Sequence, residues 1–250
     1  MLEAGFYNMD CMDGMAQFPD KFFELAIVDP PYAVGASDGL FGGKRANPSK
    51  VGGKTNGRHY ANHDKTPDAQ YFAELFRVSR NQVVWGANYY PQHFHHSGWV
   101  VWDKLTVGPL SDCELAYQSI NKLVKKYTCN WSGAVKVDGG KMVLDRIHPN
   151  QKPIDLYKWL LSNYAKPGDK ILDTHVGSAS SLIACHQMGF EYWGFELDPD
   201  YFKAATERLN KVKAQVSMTE LIEQVIPEQV AQVSMTELIE QVIPEQVTWW

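Results

Sequence analysis

The chain is short of cysteine, of long apolar runs and of net charge, and each shortage excludes something. Its four cysteines (Cys11, Cys113, Cys129, Cys185) are scattered through 250 residues with no C-x-x-C pair. That argues against a disulfide frame or zinc site and for reduced, mostly buried thiols in a cytoplasm. It has no 18-residue apolar stretch and nothing like a signal peptide, so neither membrane insertion nor secretion is expected. The formal net charge of −5 at first argues against a nucleic-acid partner. Dividing the chain changes that. Residues 214–250 hold six of the 29 acidic residues and no lysine or arginine, which leaves 24 basic against 23 acidic residues in 1–213. Within that body, residues 33–65 carry Lys44, Arg45, Lys50, Lys54, Arg58 and Lys65 against Asp38 and Asp64. Phosphate binding follows local charge more than the total, so DNA stays open as a partner. His93, His95 and His96 have a spacing that could bind a metal, but a polar loop before a strand suits them better, and no metal site is expected.

What is present is a core. Hydrophobic residues make up 44% and aromatics 12% of the chain, enough for one α/β-sized domain. Short apolar runs at 25–28, 83–86, 99–102, 170–173 and 192–195 read as buried strands, and helical patterns lie at 67–79, 153–165, 179–188 and 199–212. This alternation predicts a mostly parallel, Rossmann-like sheet flanked by helices. Its ligands would sit beyond the carboxyl ends of the strands. Two segments resist the pattern. Residues 33–62 contain seven glycines and almost no apolar periodicity, as a functional or flexible loop would. Residues 119–147 are polar and rich in lysine, which suits a small recognition insert or a surface β-meander.

Asp29-Pro30-Pro31-Tyr32 follows the apolar run Leu25-Ala26-Ile27-Val28. The carboxylate of Asp29 and the carbonyl of Pro30 can both accept hydrogen bonds, and the prolines stiffen the loop. Tyr32 can stack on a base extruded from a duplex. A plain strand-ending turn uses the same residue types. Further on, Lys170-Ile171-Leu172-Asp173-Thr174-His175-Val176-Gly177-Ser178 reads as strand, tight turn and helix start, where free N–H groups suit a carboxylate. Some twenty residues later, Glu196 closes another strand, a usual position for an acid that grips two ribose hydroxyls.

With these parts in order, the chain resembles the amino-methylating DNA methyltransferases that use S-adenosylmethionine. The resemblance covers roughly residues 5–212. Tyr7-Asn8-Met9-Asp10-Cys11 resembles the family's opening element and Asp29-Pro30-Pro31-Tyr32 its catalytic motif. Arg146-Ile147-His148-Pro149-Asn150-Gln151-Lys152-Pro153 resembles the segment before the cofactor strand, and 171–178 with 194–201 resembles that strand and its successor. The catalytic motif stands 144 positions ahead of Asp173, the order of the β group. One departure is the cofactor loop, usually Asp-Pro-Phe-x-Gly-Ser-Gly-Thr, here Asp173-Thr174-His175-Val176-Gly177-Ser178-Ala179-Ser180. Ala179 is expected to tolerate a helical backbone there.

The resemblance implies a class I methyltransferase domain over 1–213, with 33–65 as a flexible basic DNA-contacting loop. It implies methyl transfer to the N6 amine of adenine in double-stranded DNA, since cytosine-N4 enzymes more often carry serine in place of Asp29; a cytosine-N4 DNA methylase, an RNA methyltransferase or a non-catalytic DNA-binding subunit is the alternative. Asp29, Pro30, Pro31 and Tyr32 would be catalytic. Asp10 would bond the adenine of S-adenosylmethionine, Glu196 its ribose, and Asp173 with Gly177 its methionine part. Cys11, Asp29, Gln151, His175, Ser178 and Leu197 would line the same site. Lys152 would meet the methionine carboxylate or a phosphate, unless it is merely a solvated lysine. Lys44, Arg45, Lys50, Lys54 and Arg58 would contact DNA. A homodimer, a cytoplasmic location and a bacterial or phage origin are expected, and no metal is needed because the methyl group leaves a neutral thioether.

The acidic tail is a tandem repeat, 214–230 and 231–247 being identical over 17 residues. Ser217…Glu220 and Ser234…Glu237 look like capping boxes of two short helices, each stopped by a proline, Pro227 or Pro244.

Overall fold

The computed structural model describes residues 1–31, 66–95, 97–105, 111–132, 135–138, 141–142, 147–148 and 150–230. Tyr32, the basic residues Lys44, Arg45, Lys50, Lys54 and Arg58, and the second tail repeat lie outside the described residues. Along the chain come β1 (Gly5–Asn8), α1 (Cys11–Met15), β2 (Phe23–Val28), α2 (Ala69–Val78), β3 (Ser79–Trp85), β4 (Trp99–Asp103), β5 (Cys113–Gln118) and β6 (Val124–Thr128). Then follow β7 (Trp131–Ser132), β8 (Val135–Asp138), β9 (Lys141–Met142), α3 (Ile154–Tyr164), β10 (Lys170–Asp173), α4 (Ser180–Gln187), β11 (Glu191–Glu196) and α5 (Pro199–Val230).

Eight strands form one sheet in the order β1-β11-β10-β2-β3-β5-β4-β6, and β7, β8 and β9 form a small second one. Only β5 runs against the rest of the large sheet, pairing antiparallel with β3 and β4. Buried strands alternate their side chains between two cores. Leu25, Ile27, Val83, Trp85 and Ile171 face one side, packed with Leu156, Leu160 and Ile183 of α3 and α4. Ala26, Val28, Val84 and Leu172 face the other, with Met15, Phe72 and Leu75 of α1 and α2. Strands covered on both faces have to read as continuous apolar runs, which is why 25–28 and 170–173 were visible in the sequence. Among the described residues, no helix is long and apolar enough to cross a membrane.

Residues 119–147 divide. Val124–Thr128 joins the large sheet as its outer strand beside β4, while Trp131–Ser132, Val135–Asp138 and Lys141–Met142 supply the small sheet. The tail departs from expectation. Helix α5 runs through Ser217 and past Pro227 to Val230, so no new helix starts at the capping box. No glycine or proline stands between 200 and 226, and extending a formed helix is easier than nucleating another. Pro227, which has no N–H to give the carbonyl of residue 223, lies within the last described residues of α5.

Candidate active site

Four acids arrive at one edge because four neighbouring strands are parallel. Asp10 follows β1, Glu196 ends β11, Asp173 ends β10 and Asp29 follows β2. Asp29 and Asp173, far apart in the chain, thus stand on adjacent strands.

On the β1–β10 side, backbone amides hold the carboxylates. Asp10 caps α1, its Oδ1 accepting from the Met12 N–H at 2.7 Å. Buried Glu196 accepts from the Gly177 N–H at 2.8 Å and the Asp198 N–H at 2.9 Å. Asp173 accepts from the His175 N–H at 3.0 Å and from the Ser181 hydroxyl. Burial pushes the Asp173 carboxyl up to about 7 in spite of those two donors. Burial, helped by Asp10, likewise pushes the Cys11 thiol up to about 12, so it stays protonated. Gly177 takes a left-handed backbone (φ 55°), which turns its N–H onto Glu196. Gly194 on β11 lets the loop close down, since a methyl there would come within 2.7 Å of Val176.

The altered loop has its own supports. Arg208 on α5 donates to the Ser178 carbonyl at 2.6 Å and the Ser180 hydroxyl at 2.9 Å. Thr174 shares hydrogen bonds with the Tyr71 hydroxyl at 2.7 Å and His175 Nδ1 at 2.9 Å. His175 therefore packs against Tyr71 of α2. The expectation for Ala179 fails: it is fully buried with φ 60° and ψ 19°, left-handed rather than helical. Helix α4 starts one residue later. A side chain in that region costs roughly 1–2 kcal/mol, which explains why glycine suits the position.

On the β2 side, side chains hold the carboxylates. The Lys152 ammonium bonds Asp29 Oδ2 and lies 3.3 Å from Glu114 Oε2 and 5.5 Å from the centre of the Trp85 ring. Glu114 Oε1 accepts from Lys104 at 2.9 Å. The Lys152 side chain is only 3% exposed, so it is no solvated lysine, and its ammonium pairs with Asp29 and Glu114. Burial raises the Asp29 carboxyl, Lys152 draws it back and Glu114 adds to the rise. Burial also works to raise Glu114, but Lys152 and Lys104 outweigh it and hold that carboxyl below its usual value. Asp29 Oδ1 is buried and meets no hydrogen-bond partner among the described residues. Pro30 beside it is buried and Pro31 half-buried.

Gln151 is buried, its Oε1 accepting from the Ile147 N–H at 3.2 Å and its carbonyl from the Trp131 indole at 3.0 Å. Ser178 is buried in the loop, and Leu197 is exposed just after Glu196. Among the described residues no group of histidine, cysteine and acidic side chains is arranged to hold a metal. Sequence reasoning missed Glu114, Lys104, Arg208 and Tyr71. A carboxylate inside the otherwise strand-like Cys113–Gln118 was the one available signal.

A family model for DNA methylases, of the N6 and N4 type, matches residues 53–207. The chain belongs to the N6/N4 DNA methylase family. The match begins after Asp29-Pro30-Pro31-Tyr32, so that motif rests on its own residues and its place beside β10. The methylase is 27% identical over 216 residues to YubD of Escherichia coli (strain K12), named as a methylase, covering 83% of this chain and 91% of that one. It is 23% identical over 278 aligned positions to the type II methyltransferase M.HinfI of Haemophilus influenzae, covering 88% and 72%. In fold it is similar to M1.HpyAVI, solved as a complex with SAM (TM-score 0.52, 17% identity, 81% of this chain and 98% of that one). It is also similar to the cytosine-N4-specific PvuII DNA methyltransferase (TM-score 0.54, 12% identity, 86% and 93%). The sheet is that of a class I methyltransferase, as expected.

Proposed function

We propose that this methylase transfers a methyl group from S-adenosylmethionine to the exocyclic N6 amine of an adenine flipped out of duplex DNA, at a specific site. The observation that carries the reading is Asp29, with one oxygen tied to Lys152 and the other buried and unengaged among the described residues. A base amine is a poor nucleophile because its lone pair is delocalised into the ring. Two acceptors on its two hydrogens, Asp29 Oδ1 and the Pro30 carbonyl, favour a tetrahedral nitrogen with a free lone pair. They also stabilise the positive charge as it develops. Lys152 draws the Asp29 carboxyl down against the rise that burial causes, and the surplus proton leaves after methyl transfer. Tyr32 stacks on the extruded base, worth about 1–3 kcal/mol.

S-adenosylmethionine supplies an electrophilic methyl group on a sulfonium sulfur. The amide-held acids fit such a ligand: Glu196 for the ribose hydroxyls, Asp10 for the adenine amine, Asp173 with Gly177 for the methionine part. Cys11, Gln151, His175, Ser178 and Leu197 line the same edge. Asp29 in place of serine favours adenine over cytosine. Lys44, Arg45, Lys50, Lys54 and Arg58 contact phosphates, which position DNA without specifying sequence. The recognition surface is small, so a homodimer completes site recognition, in the cytoplasm of a bacterial or phage-infected cell.

The test is chemical identification of the product. DNA from an expressing host, hydrolysed and analysed by mass spectrometry, is expected to contain N6-methyladenine. N4-methylcytosine in its place overturns the adenine assignment, and labelled methyl found on RNA alone overturns the DNA reading.

A further inference from the structure

The ion chain at the β2 edge extends one step beyond any residue that touches substrate in the mechanism above. Glu114 reaches that edge because β5 is the antiparallel strand, so its first residues lie where the other strands end. There Glu114 pairs in register with Trp102, and the Lys104 N–H donates to the Asp112 carbonyl at 3.1 Å, holding Lys104 beside Glu114. Charge then alternates along Lys104, Glu114, Lys152 and Asp29. Among the described residues, Asp173 from β10 and the neutral phenol of Tyr157 from α3 also act on this group.

An ammonium with a carboxylate as sole partner can settle between its two oxygens. Here the Lys152 ammonium bonds Asp29 Oδ2, lies 3.3 Å from Glu114 Oε2 and stands over the Trp85 ring, while Asp29 Oδ1 meets no hydrogen-bond partner among the described residues. We propose that Glu114, braced by Lys104, is a positioning residue for methyl transfer: it sets the Lys152 ammonium so that Asp29 Oδ1 is left to the target amine. The role rests on the reading of Asp29 as the amine acceptor. Ion pairs of this kind add little net stability over apolar packing, so its value lies in geometry.

The test is single-turnover methylation of unmodified genomic DNA with tritiated S-adenosylmethionine, with cofactor affinity measured by calorimetry. Glu114→Gln is expected to slow transfer about 10–100-fold, the cost of a small misplacement at a reacting centre, with cofactor Kd moving less than about threefold. In a Lys152→Met background the same change is expected to cost less than about threefold more, because Glu114 acts through Lys152. Transfer by Glu114→Gln within threefold of the parent overturns the proposal, as does a loss that multiplies fully with Lys152→Met. If Glu114→Gln lacks a cooperative thermal transition, Lys104→Gln decides in its place, with an expected loss of roughly 3–10-fold and an unchanged rate overturning the proposal. Asp29→Ala run alongside separates the two levels. Activity retained there sinks the amine-acceptor reading, whereas a dead Asp29→Ala with a fully active Glu114→Gln sinks only the positioning role.

Discussion

The two halves of the sheet edge hold their acids in opposite ways. On the β1–β10 side, Asp10, Glu196 and Asp173 accept from main-chain N–H groups of tight turns. On the β2 side, Asp29 is held by a lysine, itself held by a glutamate, and one oxygen stays unengaged among the described residues. Backbone amides fix a carboxylate rigidly, which suits a ligand bound the same way at every turnover. A side-chain ion chain instead sets an opposite charge beside the carboxyl while leaving an acceptor to spare, which suits a group that must meet a reacting amine. On the proposed function, the difference separates holding from chemistry.

The largest expected effect breaks that separation if it is wrong. Asp29→Ala should lower methyl transfer by about 10³-fold or more, in line with losing a preorganised charge stabiliser, while calorimetry finds cofactor affinity within about threefold. A collapse of cofactor affinity would mean the halves are not distinct. Glu196→Ala is the mirror experiment. It should weaken S-adenosylmethionine binding by about 10–100-fold, as expected when a buried acceptor and its two amide partners are left unmatched, with the rate at saturating cofactor changed far less.

A pH titration sharpens the comparison. Asp173, pushed up to about 7 by burial, is largely protonated below that pH in the free enzyme. Binding the cationic methionine end favours the carboxylate, so a proton must leave. Cofactor affinity should therefore be flat above about pH 7 and fall by up to about tenfold per unit below it. Asp173→Asn should bind weakly with no such slope, and an equal slope in that variant would place the titrating group elsewhere. The smallest effect is Ala179→Gly. Relief of the left-handed strain, roughly 1–2 kcal/mol, is partly offset by the greater freedom glycine has in the unfolded chain, about 0.5–1 kcal/mol. The net gain of about 0–1.5 kcal/mol should raise Tm by up to a few degrees.

Much of the fold was legible because strands covered on both faces leave apolar runs, and 25–28, 83–86, 99–102, 170–173 and 192–195 all became strands of the large sheet. β1, β5 and β6 were not, because Gly5–Asn8 is only four residues long and Cys113–Gln118 and Val124–Thr128 carry polar residues. The backbone of Ala179 was misjudged since alanine by itself favours a helix, and only the turn between β10 and α4 demands φ of 60° there. The tail misled for a related reason: a capping box acts only where no helix already runs through it.

Taken alone, the order of residues determined the parallel sheet, the succession of motifs and the acids Asp10, Asp29, Asp173 and Glu196, because periodicity and strand-end chemistry are local properties. Tertiary structure decided which of them share a neighbourhood and what each is left free to do. It inserted β10 beside β2, reversed β5 to bring Glu114 to the working edge, and turned Lys152 inward onto Asp29. Charge networks depend on distances between segments remote in the chain, and no local pattern carries those distances.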